Sequence, residues 1–516
     1  MGTGRGLQFI SILICLLCAP AGASAKTLRV YLPGAPVNLD WGGLATLIEA
    51  PVILNLNEGL FGYRFPGQIL EPALAESVQK SKDLTEYTFT LRKDAKWSDG
   101  RAIRAADFRD AWLRVLSPQS VSIYSYYLFD IENAREYSQK EIVDAGKVGI
   151  TVVDDLTLKV KLRRPRSAWE VTTAFWPLFP VRMDQIERFG ANWWRPGALL
   201  SSGPFVLDSM EAGKSVILKR NRFHPATDSD ITAIEFKIEP AGDAVKGFKE
   251  GRYEFLWGLP RTAFERKIPA RQLEEIPLLR VFFLAMNMSK YPTQNRSFRM
   301  ALLKTISKSG LIPPGNPDLT PVSTLIPSPL PGSAIPIGLK HDRAEAGKDL
   351  AKSGVLVRPG LRVRILTNLT EPFFSIGRNL ESQISGGLGL NVELAALPGL
   401  EYTAYMNLGE YDLALITWTA KIPSPEDFLL PYSGEAVHNR LNYRNAVFDQ
   451  WLFDSMGATD SRSLEKSLRM AQTVFLIDEA VGTPLFTEKA LVARSGTIKN
   501  VYFNHMGIPI LKSAKH

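Results

Sequence analysis

Strand and helix signals alternate along this chain without an internal repeat, and this alternation constrains the fold more than any other feature of the sequence. Residues 106–116 are predicted as a helix, because Phe108, Trp112 and Leu116 recur on one face. A length of 516 residues provides material for about three domains. We therefore expect a mixed α/β fold of several domains. The other predicted helices are residues 341–352 and 372–385, and the predicted strands are 28–32, 87–91, 362–367, 391–395 and 411–418, with a hairpin at 151–162.

The first 25 residues have the pattern of a cleavable export signal. Arg5 provides a positive start, residues 7–19 are almost entirely apolar, and residues 23–25 (ASA) form the small-x-small pattern of a signal peptidase site. The apolar run is shorter than the roughly 20 residues that span a bilayer. We therefore expect residues 1–25 to be removed and the mature chain to begin at Lys26.

Both cysteines of the chain, Cys15 and Cys18, lie inside this predicted signal. The mature chain would then have no disulfide and no thiolate metal site. A lipoprotein signal needs a small residue before its acceptor cysteine, whereas Ile14 and Leu17 stand there. The sequence predicts a periplasmic protein that is not lipid-anchored.

No catalytic, metal or nucleic-acid motif is present in the sequence. The formal net charge is +8, but Lys and Arg are scattered among acidic residues, so nucleic-acid binding is not expected. None of the five histidines has metal-ligand spacing, and no nucleophile elbow or phosphate loop follows a strand. The adjacent pair Glu426-Asp427 is interpreted as a solvated helix start. These observations favour ligand binding over catalysis, with no cofactor and no metal.

A proline-rich segment, residues 311–338, is the clearest break in composition. Its prolines exclude a regular helix. Two interpretations stay open at this stage, a linker and a long ordered loop over a cleft.

Several segments resemble, in order and spacing, the family 5 bacterial extracellular solute-binding proteins, which include the periplasmic oligopeptide- and dipeptide-binding proteins of ABC importers. In the strongest match, LRKDAKWSDG at residues 91–100 is nearly identical to the family hallmark. Its last four residues are typical of a turn, with Gly100 at positive φ and Asp99 bonded to nearby N–H groups. The matching segments are residues 38–40, 57–60, 71–112, 202–205, 295–302, 325–332, 387–392 and 411–429.

The resemblance implies a periplasmic-binding-protein-like, two-lobed clamp of type II with an extra α/β domain, as in peptide-binding proteins. By this comparison the ligand lies in the cleft, and the lobes close over it by hinge rotation. We expect a monomer. The implied domains are lobe I at residues 26–56, 189–279 and 488–516, the extra domain at 57–188, and lobe II at 280–487.

In peptide-binding relatives, the ligand's main chain pairs with exposed strand segments of both lobes. Matching without gaps predicts one such segment at Ala45, Thr46 and Leu47. The other is predicted at Thr417, Trp418 and Thr419. The alternatives are core packing for Trp418 and helix or loop structure for residues 45–47.

At the position where relatives hold a peptide's amino terminus with an aspartate, this chain has Lys421. Two ammonium groups facing each other in a closed cleft repel by several kcal/mol. Three explanations stay open. Lys421 binds an anionic group of an acidic, amino-blocked or reversed ligand; it pairs with Glu426 or Asp427 in a rearranged loop; or it points to solvent.

The resemblance therefore implies a periplasmic substrate-binding protein, not an enzyme, that captures oligopeptides or peptide-like solutes and delivers them to the permease subunits of an ABC importer. One alternative is a binding protein for a non-peptide anionic solute that uses Lys421. Another is a protein that presents its ligand to a membrane sensor, or a chaperone.

Overall fold

The computed structural model describes residues 26–43, 46–64, 69–120, 122–225, 229–358, 360–436 and 439–516. The predicted signal, residues 1–25, lies outside the described residues. In the part that is described, none of the helices combines the length and apolar character that crossing a membrane requires.

The described strands form one large sheet and three small ones. They are β1 (Thr27–Leu32), β2 (Phe61–Arg64), β3 (Ile69–Pro72), β4 (Ala75–Lys80), β5 (Glu86–Leu91), β6 (Ile150–Asp154), β7 (Thr157–Lys161), β8 (Phe205–Glu211), β9 (Ser215–Arg220), β10 (Ala233–Ile238), β11 (Phe255–Leu256), β12 (Leu273–Met286), β13 (Leu319–Pro321), β14 (Arg362–Asn368), β15 (Asn391–Leu397), β16 (Leu413–Thr419), β17 (Gly482–Arg494), β18 (Tyr502–Phe503) and β19 (Pro509–Ile510).

The helices are interspersed with these strands, as the alternating signals predict. They are α1 (Ala50–Leu56), α2 (Ala105–Leu116), α3 (Ala134–Ser138), α4 (Met183–Phe189), α5 (Ala241–Lys249), α6 (Arg261–Phe264), α7 (Arg296–Thr305), α8 (Arg343–Ser353), α9 (Phe373–Leu388), α10 (Gly399–Leu408), α11 (Ala446–Gly457) and α12 (Ser461–Thr473). The mixed α/β class is confirmed.

Two long strands, β12 and β17, lie at the centre of the large sheet, whose order is β15-β14-β16-β12-β17-β11-β1-β10-β9-β8. They pair with each other antiparallel, and their register shifts between Pro277 and Val281. On one side of this shift β17 pairs with β11, which pairs with the N-terminal strand β1, and on the other side β12 pairs with β16, which pairs with β14. The shift therefore separates two halves that only this strand pair joins within the sheet.

The four-stranded sheet β4-β5-β7-β6 packs with α2 beside the first half. Its buried residues, among them Tyr87, Phe89 and Trp112, belong to one hydrophobic core together with Val30 and Phe236 of the large sheet. The described part of the second half has three separate hydrophobic clusters of its own, two large and one small. The extra unit is thus packed on the first half.

Most local predictions are confirmed within one to three residues. Helix α2 buries Phe108, Trp112 and Leu116, and β6 and β7 form the predicted hairpin. In the hallmark segment, Gly100 has φ +91°, and Asp99 accepts a hydrogen bond from the N–H of Arg101.

The proline-rich segment 311–338 is ordered, so the linker interpretation is wrong. Leu325, Ile326 and Leu330 are buried in a core of the second half. The side chain of Gln472, on α12, accepts hydrogen bonds from the N–H groups of Leu325 and Ile326 and donates one to Gly332. These contacts fix the segment against α12.

Candidate ligand-binding cleft

A cavity of about 870 Å³ lies between the extra unit and the second half of the molecule. This volume is within the usual range for sites that enclose a small ligand. Its wall is rich in aromatic side chains from both sides, including Tyr127 and Trp176 on one side and Tyr402, Trp418 and Tyr432 on the other. We call this cavity the large chamber.

One edge of β16 is unpaired along the large chamber. Strand β12 covers the opposite edge from Leu413 to Thr419, whereas β14 pairs with β16 only at Leu413 and Ala414. Among the described residues, no strand continues the sheet beside Thr417. An unpaired strand edge can add an extended ligand by main-chain hydrogen bonds.

The main-chain groups of Thr417 point toward this open edge. The carbonyl of Leu415 accepts a hydrogen bond from the Tyr402 hydroxyl at 3.0 Å, so it points away from β12. In contrast, the N–H of Ala420 donates a hydrogen bond to the carbonyl of Leu279 in β12, so the main-chain groups of Ala420 point toward β12. Because main-chain direction alternates along a strand, Thr417 shares the direction of Leu415.

The structure brings four of the predicted binding residues together at the large chamber with Lys421. Thr419 is not part of the chamber wall, and its hydroxyl accepts a hydrogen bond from Arg280 at 2.8 Å. Ala45 lies outside the described residues. The four wall residues are Thr46, Leu47, Thr417 and Trp418.

The strand predicted at residues 45–47 is not present at Thr46 and Leu47, which form a turn before α1. The N–H of Thr46 donates to the Glu49 carboxylate at 2.8 Å, and its carbonyl accepts from the N–H of Ala50. These bonds use both main-chain groups of Thr46. Residues 46 and 47 are therefore not a strand, because Glu49 closes a turn that the gapless match did not show, and their contact with a ligand stays a prediction.

Asp427 organises the loop after β16. It is 2% exposed, and it accepts hydrogen bonds from the Trp418 indole N–H at 3.1 Å, the Lys421 main-chain N–H at 2.9 Å and the Tyr127 hydroxyl at 2.9 Å. Glu426 is also buried. The pair does start a helix, the short 3-10 helix Pro425–Phe428, but the interpretation of the pair as solvated is wrong. No local sequence pattern indicates that Asp427 is buried, because its partner Tyr127 is 300 positions away.

The Lys421 ammonium group has no hydrogen-bond or ion-pair partner among the described residues. Asp427 accepts the main-chain N–H of Lys421 and makes no ion pair with its side chain. Burial lowers the pKa of Lys421, the charge of Asp427 opposes this shift, and Arg280 adds to it. Lys421 is half-buried and lines the large chamber. The geometry thus favours a ligand group as its partner over a protein carboxylate or bulk solvent.

The described wall of the large chamber is strongly cationic, with six basic side chains and two acidic ones. Glu435 pairs with Arg163 and Arg164, and Asp130 pairs with Arg166. Three basic residues of this wall, Arg135, Lys421 and Arg440, form no ion pair with any residue in the described part of the chain. Sequence reasoning missed all of these except Lys421, since they come from distant segments with no shared motif. The excess charge attracts anionic ligands.

Replacing Asp427 by Asn tests the electrostatics of this loop. Burial raises the pKa of Asp427 from 3.8 to about 6, so the folded protein binds this proton more tightly than the unfolded chain does. The resulting stability is complete below about pH 4 and is lost as the pH rises through 6. Asp427→Asn has no titrating group at this position, so its free energy of unfolding should rise relative to that of wild type by about 2 kcal/mol between pH 4 and 7. Denaturation curves that shift in parallel with pH for both proteins would contradict this assignment.

No group of three or more His, Cys, Asp or Glu side chains in the described ranges is arranged to hold a metal ion. Together, the two joined halves and the cleft with an open strand edge define a protein that encloses an extended ligand. Residues 70–439, well over half of the chain, match the sequence profile of the bacterial extracellular solute-binding proteins, family 5. The chain belongs to this family.

Similar proteins are found across nearly the whole chain. The periplasmic murein peptide-binding protein MppA of Escherichia coli K12 is 26% identical over 482 residues, which cover 90% of this chain and 88% of that protein. A probable deoxycholate-binding periplasmic protein, YgiS of the same strain, is 25% identical, with coverage of 85% and 84%. The structure of Haemophilus influenzae OppA in complex with the peptide RPPGFSPFR has the same fold, with a TM-score of 0.78, 21% identity, and coverage of 95% of this chain and 99% of that one.

Proposed function

We propose that this chain is the periplasmic substrate-binding protein of an ABC importer, and that it captures a peptide or peptide-like solute for the permease. The unpaired edge of β16 along the large chamber carries this proposal. A main-chain edge binds an extended ligand largely independently of its side chains, which suits peptides. The family membership and the peptide-binding relatives support the same function.

The clamp closes around β12 and β17, with the lobe boundaries expected from the sequence, at 279/280 and 487/488. The register shift between Pro277 and Val281 supports a hinge at this point. Arg280 lies beside the shift and pairs with Glu488 at 2.7 Å. A permease distinguishes loaded from empty protein by the closed state.

The ligand carries a negative group that meets Lys421. The unpaired ammonium and the cationic chamber wall support this choice, since an amino terminus placed at Lys421 would be repelled. A non-peptide anionic solute is the second candidate ligand, because the unpaired ammonium and the cationic chamber wall would bind it equally well. One relative is named as a probable deoxycholate-binding protein, which is consistent with this alternative.

The remaining features follow from the same proposal. The signal is cleaved before Lys26, the mature protein acts as a monomer without a lipid anchor, and it performs no covalent chemistry. It binds no nucleic acid. A role as a sensor or chaperone fails if deletion of this protein alone abolishes ligand uptake and leaves signalling unchanged.

Selection from a peptide mixture tests the proposal. Residues 26–516 are stripped of ligand by unfolding and refolding, and incubated with a tryptic digest, half of which is amino-acetylated. Retained peptides are identified by mass spectrometry after gel filtration. We expect saturable retention, with acetylated or acidic peptides enriched at least tenfold. If no peptide from either half is retained by protein whose refolding is verified by circular dichroism, peptide binding is excluded.

A further inference from the structure

A second cavity of about 230 Å³ adjoins the large chamber, and both are lined by Trp176 and Lys421. We call it the small chamber. Much of its wall comes from β2 and β3, from the segment around Asn57, from residues 171–179 and from the C-terminal residues 502–513. Its volume is far greater than a single water molecule requires. Lys421 therefore lies between the two chambers and contributes to the wall of each.

Four buried side-chain polar atoms in the wall of the small chamber have no hydrogen-bond partner among the described residues. They are Nε of Arg64, Nε1 of Trp176, Nδ2 of Asn57, whose residue is 1% exposed, and Nδ1 of His505, whose residue is 4% exposed. Nε2 of His505 lies 3.2 Å from the Lys421 carbonyl, so it carries the hydrogen and leaves Nδ1 as an acceptor. Buried polar groups are normally bonded, so the unbonded groups of Asn57 and His505, like those of Arg64 and Trp176, call for a partner from outside the protein.

The charges around the small chamber balance except at Lys421. Glu58 is bonded to Lys512 at 2.9 Å, and Arg64 is bonded to Glu71 at 2.8 Å. Of the charged side chains described in this wall, Lys421 alone has no ion pair. The chamber thus offers one unmatched positive charge together with a free amide donor.

We propose that the small chamber binds a carboxylate at one end of the ligand, held by the Lys421 ammonium and the Asn57 amide N–H. The rest of the ligand lies in the large chamber, and Nδ1 of His505 accepts a hydrogen bond from a ligand N–H. This inference rests on the proposed function and names the end group that it selects. The carboxylate is supplied either by an acidic cap on the amino end of a peptide or by the carboxyl terminus of a peptide bound in reverse.

Three matched peptides distinguish these sources by isothermal titration calorimetry. They are Ala-Ala-Ala-amide, which has no carboxylate, Ala-Ala-Ala, and N-succinyl-Ala-Ala-Ala-amide. We expect at least one carboxylate peptide to bind 30-fold or more tightly than Ala-Ala-Ala-amide. Preference for the succinyl peptide identifies a capped amino end, and preference for Ala-Ala-Ala identifies the reversed orientation. Equal affinity for all three overturns the inference.

A substitution that fills the small chamber tests whether the carboxylate is bound there. Gly62 lines this chamber, and a Cβ added there meets no atom within 4 Å among the described contacts. Gly62→Leu should abolish the carboxylate preference. Gly347→Leu on α8, where an added Cβ also meets nothing within 4 Å, is the matched control and should retain it. A Gly62→Leu protein that keeps the preference contradicts this location.

Succinate alone separates this inference from peptide binding. Saturation-transfer NMR should detect succinate on wild type and on Gly347→Leu, with at least a tenfold weaker signal on Gly62→Leu. This result does not depend on what the large chamber holds. If peptides bind but succinate does not, the small chamber is not a carboxylate site. The same conclusion follows if succinate binds equally to wild type, Gly62→Leu and Gly347→Leu. If succinate binds and no peptide does, only the peptide function fails.

Discussion

Replacing Lys421 by Asp is expected to reverse the charge preference of the cleft. The affinity for the carboxylate peptide that wild type prefers, N-succinyl-Ala-Ala-Ala-amide or Ala-Ala-Ala, should fall at least 100-fold, and free-amine Ala-Ala-Ala-amide should become a ligand. A ligand carboxylate that loses the Lys421 ammonium and meets the carboxylate of the new aspartate in a poorly solvated site is destabilised by about 3 kcal/mol or more relative to the paired state. Each 1.4 kcal/mol corresponds to about tenfold in affinity. Calorimetry with both peptides measures the exchange.

Lys421→Met is the matched control for this exchange. It removes the charge and keeps an unbranched side chain, so it should lose the anionic peptide without gaining the free amine. The main-chain N–H of residue 421 still donates to Asp427 in both variants, which preserves the loop. Unchanged affinities for both peptides in Lys421→Asp would show that residue 421 does not contact the ligand.

Thr417→Pro should weaken peptide binding by about 30- to 100-fold with little loss of stability. The Thr417 N–H points to the open edge of β16, so proline removes a donor that has no partner in the protein's own sheet. A ligand carbonyl that then stays unsatisfied in the cleft costs about 2–3 kcal/mol. Isothermal titration calorimetry with the peptide that binds wild type most tightly measures this loss of affinity.

Thr417→Val distinguishes the contribution of the main-chain N–H to peptide binding from that of the side-chain hydroxyl. Valine has nearly the shape of threonine and keeps the N–H, so this variant should bind peptides within a few-fold of wild type. Thermal unfolding of both variants checks the fold. If Thr417→Pro and Thr417→Val weaken binding equally, the Thr417 hydroxyl contacts the ligand and main-chain pairing is not the cause.

The helices, strands and turns that depend mainly on residues close together in the sequence could be predicted from local sequence patterns. Strand β16 and helix α2 are found within two residues of the predicted limits, because alternation and a 3.6-residue period reflect which face is buried. The turn ending at Gly100 was also predictable, since few residues adopt its positive φ. The resemblance to the family added the position of Lys421 in the cleft.

Features that depend on distant residues could not be predicted. Asp427 is buried because Tyr127, Trp418 and the N–H of Lys421 surround it, and a sequence pattern does not show such a meeting. The pairing of Glu435 with Arg163 and Arg164 across the large chamber has the same origin. At Thr46, the family match suggested a strand, whereas one carboxylate, that of Glu49, closes a turn.

Native mass spectrometry of the mature protein, purified gently from the periplasm of its own organism, tests the nature of the ligand most directly. The bound species is released and identified by fragmentation. We expect a peptide-like molecule with a carboxylate end, either amino-capped or bound in reverse, and a complex that dissociates in Lys421→Asp. A ladder of peptides with free amino termini that persists in Lys421→Asp would contradict the role of Lys421 as the ligand's anchor.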